Sequence, residues 1–333
     1  MNESQEKINV AFSISRIFAI VSVASAHITV DNDSSVYYIL KTMASIGVII
    51  FMILSGYYYI PDKYGSISKL ITKKLKTIVV PWLFMGSLLF LWGVIYGLKN
   101  VNLLDWFLYI IGYQSFFYYM TMLVLCYIMF YYKSLVLEIV AVIVSIISVY
   151  LTAAGKLEDV VQMLNITNYL NIFNWVGYFA IGCILKRVST SRLVEFLRNT
   201  RWLALAIFVI AFYLLSVFKV DSSYFSYAGL PFHMISTWSI FSISTLEFMD
   251  KKWVHTLSNM TFGVYLIHMF VIALCNDIYA QNVILQLLSP IIVTLVSMLL
   301  LCIGFKLSAI IKLDKAYCLV TGIRMQRNIK EEK

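Results

Sequence analysis

Long stretches without charged residues recur along the whole chain. Each holds at least 17 residues, and a helix needs about 20 to cross roughly 30 Å of hydrocarbon. A further stretch, 8–30, is interrupted only by Arg16. The uncharged stretches are 42–61, 77–98, 106–132, 139–155, 160–185, 202–218, 222–246, 253–276 and 278–305. The sequence therefore predicts an all-α polytopic membrane protein with about ten transmembrane helices.

Charged residues are too few to cover a water-facing surface. Hydrophobic residues make up 61% of the chain and charged residues 13%, whereas soluble chains have about 45–50% and 25%. This composition excludes a soluble domain, an intrinsically disordered chain and a coiled coil. We expect one integral membrane domain over 1–311, followed by a basic, mobile cytoplasmic tail over 312–333.

The basic residues are distributed unevenly between the two sides of the predicted bundle. With the N-terminus in the cytoplasm, cytoplasmic segments hold 20 of the 26 Lys and Arg residues and outer segments hold four. This asymmetry follows the positive-inside rule and predicts cytoplasmic N- and C-termini in a multi-pass protein of the cell membrane. Basic loops of this kind favour contact with anionic membrane lipids, and nucleic acid is not an expected partner.

Three regions differ from simple spans. The stretch 106–132 is too long for one straight span, so we expect a re-entrant or interfacial piece over 103–113 and a helix over 115–132. The basic stretch 68–77 is predicted to lie along the membrane surface. Ala24-Ser25-Ala26 resembles a signal-peptidase site. The long region before it carries Glu3 and Glu6, which favours an uncleaved first helix.

Arg16 and His27 are ionisable residues of the first predicted helix. Ionisable groups inside a bilayer are energetically expensive, so each is a candidate functional residue. Eleven residues span about three helical turns, which places both side chains within ~20° of one face and roughly 16 Å apart. One stripe of the helix would then carry a cation towards the cytoplasm and an imidazole towards the outer surface.

Both residues have a functional and a structural interpretation. In the functional one they line a polar cavity in which His27 acts as a general base, because an imidazole titrates near neutrality. Arg16 would bind phosphate bidentately. In the structural one Arg16 snorkels to cytoplasmic phosphates and His27 caps the helix near the outer surface.

Two later segments combine small or polar residues with apolar ones. In Gly47–Tyr57, the small residues Ser55 and Gly56 permit close approach of another helix. The segment Ser258–His268 places His268 at about mid-membrane. A structural hydrogen bond to a neighbouring helix explains such a histidine about as well as a function does.

Four acidic residues lie near predicted helix ends. Asp31 and Asp33 follow His27 and would orient its imidazole or contact a sugar, although exposed loop carboxylates are the favoured interpretation. Glu138 and Glu247 are expected to be ordinary interface residues. The five cysteines show no metal or redox spacing, so neither a metal nor a tightly bound cofactor is expected.

Taken together, these motifs resemble the acyltransferase-3 family of integral membrane acyltransferases, over essentially the whole chain. Arg16 and His27 are similar to the family's Arg-x10-His signature, and the other segments match family elements in the same order. Those segments are Gly47 to Tyr57, Lys73 to Trp82, Trp175 to Gly182 and Thr261 to His268. Two departures are visible. Lys73 and Lys76 occupy the positions of a common Arg-x-x-Arg pair, and Phe116–Met120 lacks the histidine of the family's His-Leu-Trp-Phe-Leu element.

The resemblance implies a membrane O-acyltransferase that moves an acetyl or other short acyl group from cytoplasmic acyl-CoA to a hydroxyl of a cell-surface or exported glycan. It implies an acyl-CoA as co-substrate, with acetyl-CoA the favoured one. The acceptor would be a glycan or a lipid-linked sugar. His27 would be the general base or an acyl relay, and Arg16, Lys73 and Lys76 would bind the donor. The supporting residues would be Ser55, Tyr265, His268 and Asp31. The alternatives are a transporter or flippase for a lipid-linked glycan or polysaccharide, and an inactive family member that serves as a scaffold.

Overall fold

The computed structural model describes residues 3–31, 34–61, 65–113, 115–132, 134–164, 166–246, 251–279 and 282–325. These residues form an all-helical bundle. Its α-helices are α1 Glu3–Ser25, α2 Ser35–Ala44, α3 Gly47–Tyr57, α4 Ile67–Lys74, α5 Val80–Ile95, α6 Leu103–Ile111, α7 Tyr118–Met129, α8 Leu135–Ala153, α9 Glu158–Met163, α10 Val176–Arg187, α11 Thr190–Val217, α12 Gly229–Ile243, α13 Lys251–Ser258, α14 Thr261–Tyr279, α15 Val283–Ile310 and α16 Asp314–Thr321.

Six helical segments in these residues are long and apolar enough to cross a membrane. A bent pair formed by α13 and α14, with an angle of 56° between its parts, raises the number to seven. The six are Glu3–Ser25, Ser35–Tyr57, Ile67–Ile95, Leu135–Ala153, Thr190–Val217 and Val283–Ile310. The all-helical class is confirmed, but ten spans are not. Several predicted spans correspond to shorter helices, such as the 12-residue α7 and α10. The orientation of the termini stays a prediction.

Helix α1 lies inside the bundle, in contact with α2, α3, α11, α12, α13, α14 and α15. Its Arg16 is therefore surrounded by protein as well as accessible from one end. The helix ends at Ser25, earlier than the predicted 8–30 segment. A turn follows, in which the His27 N–H donates to the Ala24 oxygen over 3.1 Å. His27 thus lies just beyond the helix, in the turn that leaves the bundle centre.

Glycines allow α3 and α10 to cross at backbone contact. A Cβ atom on Gly56 would lie 2.0 Å from the Phe179 oxygen, and one on Gly182 would lie 1.9 Å from the Ile53 oxygen. Each glycine therefore faces the backbone of the opposite helix with no room for a side chain. The close approach that Ser55 and Gly56 predict is confirmed for Gly56, and its partner is a glycine of the Trp175–Gly182 segment.

The basic stretch 68–77 is continuous with the helix that follows it, and its position along the membrane surface stays a prediction. It continues into α5 through a π-helical turn over Leu75–Val79, so that Ile67–Ile95 forms one candidate span. Pro81 lies in the first turn of α5. Since proline has no N–H, it cannot donate to the Thr77 oxygen four residues earlier, which favours irregular hydrogen bonding at this point.

The long stretch 106–132 is divided, as the sequence predicts. Helix α6 ends at Gly112, which adopts φ +94°, and α7 begins at Tyr118. Whether 103–113 is re-entrant stays a prediction, as does the orientation of α6 in a membrane.

Glu138 has a different role from the expected interface residue. Its carboxylate is fully buried and accepts two hydrogen bonds from Arg187, at 2.7 and 2.9 Å. These bonds raise the pKa of Arg187 above its ordinary value. Because Glu138 belongs to α8 and Arg187 to α10, the ion pair ties these helices together at one end of the bundle.

The beginning of the predicted mobile tail is an ordered part of the bundle. Helix α16 contacts α5 and α15, and Ile323 after it is only 3% exposed. The remainder of the tail, 326–333, lies outside the described residues, as do Asp33 and Glu247.

Candidate functional site

Side chains from α1, α3, α4, α7 and α14 form a column through the centre of the bundle. At one end lies Arg16 and at the other lies His27, so we name it the Arg16–His27 column. Its members between those two are Tyr58, Lys74, Tyr127, Ser55, Tyr119, Tyr265, Phe116 and His268. Because α1 ends at Ser25, His27 does not share a helical stripe with Arg16, and the column rather than one face of α1 connects the two residues.

At the His27 end two imidazoles meet. The ring centroids of His27 and His268 are 5.2 Å apart, and Phe116 contacts both rings at 5.9 and 5.0 Å. His268 is fully buried, whereas His27 is half-buried. Of the two rings, only that of His27 is partly accessible from outside the bundle.

The hydrogen bonding of His268 determines its tautomer. Its Nδ1 lies 2.6 Å from the Tyr265 main-chain oxygen. Because a carbonyl oxygen can only accept, Nδ1 must carry the proton. Nε2 of the neutral ring is then an acceptor, and it has no hydrogen-bond partner in the part of the chain that the structure describes. A neutral imidazole with an unused lone pair thus lies beside His27.

The middle of the column is built around Tyr265. Its hydroxyl donates a short hydrogen bond to the Phe116 main-chain oxygen, which joins α14 to the segment before α7. The Tyr265 ring lies 5.5 Å from that of Tyr119, and the Ser55 side chain interacts with both Tyr119 and Tyr127. The segment Phe116–Met120, in which the sequence offered no site residue, therefore forms one wall of the column.

The Arg16 end is a cluster of cations and phenol rings. The Arg16 guanidinium lies 4.7 Å from the centre of the Tyr58 ring. The Lys74 ammonium lies 3.4 Å from the centre of the Tyr127 ring, with which Arg16 also interacts electrostatically. Cation–π contacts of this kind hold the positive groups in place without neutralising their charge. Arg16 forms no ion pair with a carboxylate of the described residues.

The two predicted donor-binding lysines occupy a different position from Lys74. Lys73 and Lys76 are exposed, whereas Lys74 between them is half-buried and turned towards Tyr127. All three belong to the same end of the bundle as Arg16. The structure therefore brings Lys74 to the column and leaves Lys73 and Lys76 at its edge.

Asp31 lies four residues beyond His27 on the exposed loop that leads to α2. Its main-chain oxygen accepts hydrogen bonds from the Ser34 N–H and hydroxyl, at 3.1 and 2.6 Å. This supports the loop interpretation of Asp31 and leaves a contact with an acceptor sugar untested.

Two cavities are described, and neither is lined by Arg16 or His27. The larger, of about 480 Å³, lies among apolar residues of α3, α10, α11 and α12. The smaller, of about 200 Å³, lies beside the chain segment that follows α1 and is lined in part by Ser25, Ala26, Lys41 and Tyr224. The column itself is filled by closely packed rings. No group of three or more His, Cys, Asp or Glu side chains suited to a metal occurs within the described ranges.

Sequence reasoning missed Lys74 and three tyrosines of the column, Tyr58, Tyr119 and Tyr127, whereas it did name Tyr265. The chain has 23 tyrosines, for which interfacial anchoring is the ordinary interpretation. No spacing distinguishes Tyr119 or Tyr127 from the others. Lys74 is surrounded by other lysines, and only the local helix geometry separates it from them.

Comparison with known proteins identifies the class of this helical bundle. No curated protein and no solved structure matches the chain. Residues 9–307 match the family model described as an acyltransferase domain, that of the acyltransferase-3 family. The matched range contains Arg16, His27 and every other member of the column. The chain belongs to the acyltransferase-3 family and is a membrane acyltransferase.

Proposed function

We propose that this acyltransferase moves an acetyl or other short acyl group from cytoplasmic acyl-CoA to a hydroxyl of a cell-surface or exported glycan. The observation that carries the proposal is the Arg16–His27 column. It joins a cluster of cations at one end of the bundle to a pair of imidazoles at the other. Family membership favours this enzyme over a transporter or flippase.

The Arg16 end suits the donor. Coenzyme A carries several phosphate charges, and Arg16 and Lys74 present positive groups that are held against phenol rings. Charge-assisted hydrogen bonds from such groups to phosphate are strong. The exposed Lys73 and Lys76 lie where they would attract the anionic donor to the column. We place this end in the cytoplasm, where acyl-CoA is made available.

The thin pantetheine arm would extend from this end along the column towards His27. Since rings fill the column, we infer that the arm enters when aromatic side chains such as Tyr119 move aside. Ser55, between Tyr119 and Tyr127, would offer a hydroxyl to the amide groups of the arm.

His27 is the general base in this proposal. Its unprotonated nitrogen takes the proton of the acceptor hydroxyl while the hydroxyl oxygen bonds to the thioester carbonyl carbon. The tetrahedral intermediate then collapses, the C–S bond breaks, and the departing thiolate takes the proton from the His27 imidazolium. The products are an ester and free coenzyme A. General base catalysis of this kind contributes about 10²–10⁴-fold.

His268 would position His27 and stabilise its protonated form. The Tyr265 oxygen holds the His268 proton on Nδ1, so that Nε2 is an acceptor. A lone pair beside His27 lowers the energy of the imidazolium by accepting its N–H. Asp31 lies on the loop after His27, where an acceptor sugar would arrive.

The test is release of free coenzyme A from acetyl-CoA by the purified full-length protein, with cell-envelope glycan as acceptor. We expect His27→Gln to lower this rate about 10²–10⁴-fold at normal expression. The control is His255→Gln, because His255 bonds to Ser13 outside the column and this variant should keep the wild-type rate. A His27→Gln protein with unchanged activity would disprove the assignment. The mass increase of glycans from cells that contain the protein identifies the acyl group and the acceptor.

A further inference from the structure

The chain continues beyond the region that matches the family, and this continuation folds back onto the bundle. Residues 322–325 follow α16 and lie against the first turn of α14. Gly322 adopts φ +71°, which reverses the chain, and a Cβ atom there would lie 2.4 Å from the Phe262 ring. A Cβ atom on Gly263 would lie 2.5 Å from Ile323, which is buried. The segment is therefore held by close packing against α14.

A hydrogen bond fixes Arg324 at this position. Its main-chain N–H donates to the Asn259 oxygen over 3.2 Å. Asn259 lies just before α14, the helix that carries Tyr265 and His268. The backbone of Arg324 is thus tied to the same element that positions the histidine pair.

The Arg324 side chain is exposed, and it extends the cation cluster at the Arg16 end. Its position at this end follows from hydrogen bonds: Asn259, which accepts from the Arg324 N–H, donates to the His255 oxygen over 3.0 Å, and His255 bonds to Ser13 of α1, three residues before Arg16. From there its charge acts on Arg16 and on Tyr127. Lys74 lies on the ring of the same Tyr127. Neither Arg16 nor Arg324 forms an ion pair with a carboxylate in the ranges that the structure describes. Among the described residues no carboxylate neutralises these two guanidinium groups, and such a pair suits a ligand with more than one negative group.

We propose that residues 322–325 form part of the donor site and that Arg324 binds the 3′-phosphate of the acyl-CoA. The assignment rests on the proposed function and follows from the order of groups along the donor. The 3′-phosphate is the phosphate farthest from the thioester, and Arg324 is exposed, whereas Arg16 is half-buried in the bundle. Arg16 therefore faces the pyrophosphate and Arg324 faces the adenosine end.

The experiment compares acetyl-CoA with 3′-dephospho-acetyl-CoA as donors for the full-length protein. For the wild type, loss of the 3′-phosphate should raise the donor KM about tenfold, as expected for one charge-assisted hydrogen bond. Arg324→Gln should raise the KM for acetyl-CoA by a similar factor and leave the two donors with nearly equal KM. Arg324→Lys should restore part of the difference.

Lys315→Gln is the matched control. Lys315 is an exposed basic residue of α16, so this variant removes one positive charge from the same region and should keep the tenfold ratio. Size-exclusion profiles of all variants report whether they fold. An Arg324→Gln protein that folds and still discriminates between the donors as the wild type does would overturn the Arg324 assignment, and so would an unchanged KM for acetyl-CoA.

The same measurements separate this inference from the proposed function. A wild-type protein that releases coenzyme A in a His27-dependent reaction but shows no Arg324 effect refutes only the Arg324 assignment. A wild-type protein that consumes no thioester refutes the proposed function, and the Arg324 assignment with it.

Discussion

The crossing of α3 and α10 gives a prediction whose size follows from the structure. The Gly182→Ala substitution adds a Cβ atom 1.9 Å from the Ile53 main-chain oxygen, whereas an ordinary contact begins at 3.4 Å. The two backbones would therefore have to separate by roughly 1.5 Å, because a main-chain oxygen cannot rotate away as a side chain does. Ser55 lies on α3 beside this crossing, so the separation would also disturb the column.

The energetic cost follows from two opposing contributions. Overpacking in a well-packed interior costs about 1–3 kcal/mol, and the rigid contact here favours the upper end. Alanine has a higher helix propensity than glycine, and this difference stabilises the folded state by about 1 kcal/mol. We expect Gly182→Ala to lower the free energy of unfolding by about 2 kcal/mol and the Tm by roughly 4 °C.

Thermal unfolding in detergent, followed by circular dichroism, measures this change. The control is Gly93→Ala in α5, where the added Cβ atom would meet only the flexible Lys99 side chain, at 3.1 Å. It should leave the Tm unchanged or raise it slightly. A Gly182→Ala protein at least as stable as the wild type would show that the helices do not cross at backbone contact.

Three further predictions concern the site and the ion pair. His268→Gln should lower the turnover rate about tenfold to a hundredfold and change the pH profile of the turnover rate, which His27 sets. A pH profile like that of the wild type would argue against a positioning role of His268. Arg16→Gln should raise the KM for acyl-CoA by about tenfold or more with little change in the KM for the acceptor, and equal effects on both would contradict its phosphate role. Arg187→Gln should destabilise the protein by about 2–3 kcal/mol, because it leaves the Glu138 carboxylate buried without a partner. Glu138→Gln should lower the free energy of unfolding by less, because Arg187 remains partly exposed to solvent. Thermal unfolding of the two variants should show this asymmetry.

Some of the site could be predicted because its signals are local in the chain. Arg16 and His27 are noticeable because ionisable residues are rare in apolar helices, and the structure places both on the central column. Gly56 and Gly182 belong to short segments with small residues, and each permits a backbone contact. Helix ends were less predictable. The turn after Ser25 and the break between α2 and α3 depend on hydrogen bonds and neighbours that hydropathy does not report.

The sequence by itself determined that the chain is a helical membrane protein and that its first apolar segment carries two ionisable residues, Arg16 and His27. These properties depend on composition and on residues close in the chain. The tertiary structure decided that Lys74 faces the column while Lys73 and Lys76 stay exposed, because the packing of α4 brings only Lys74 onto the Tyr127 ring. It also placed His268 beside His27 and tied Arg324 to Asn259 at the start of α14. Contacts between residues hundreds of positions apart arise only when helices pack, and no local pattern encodes them.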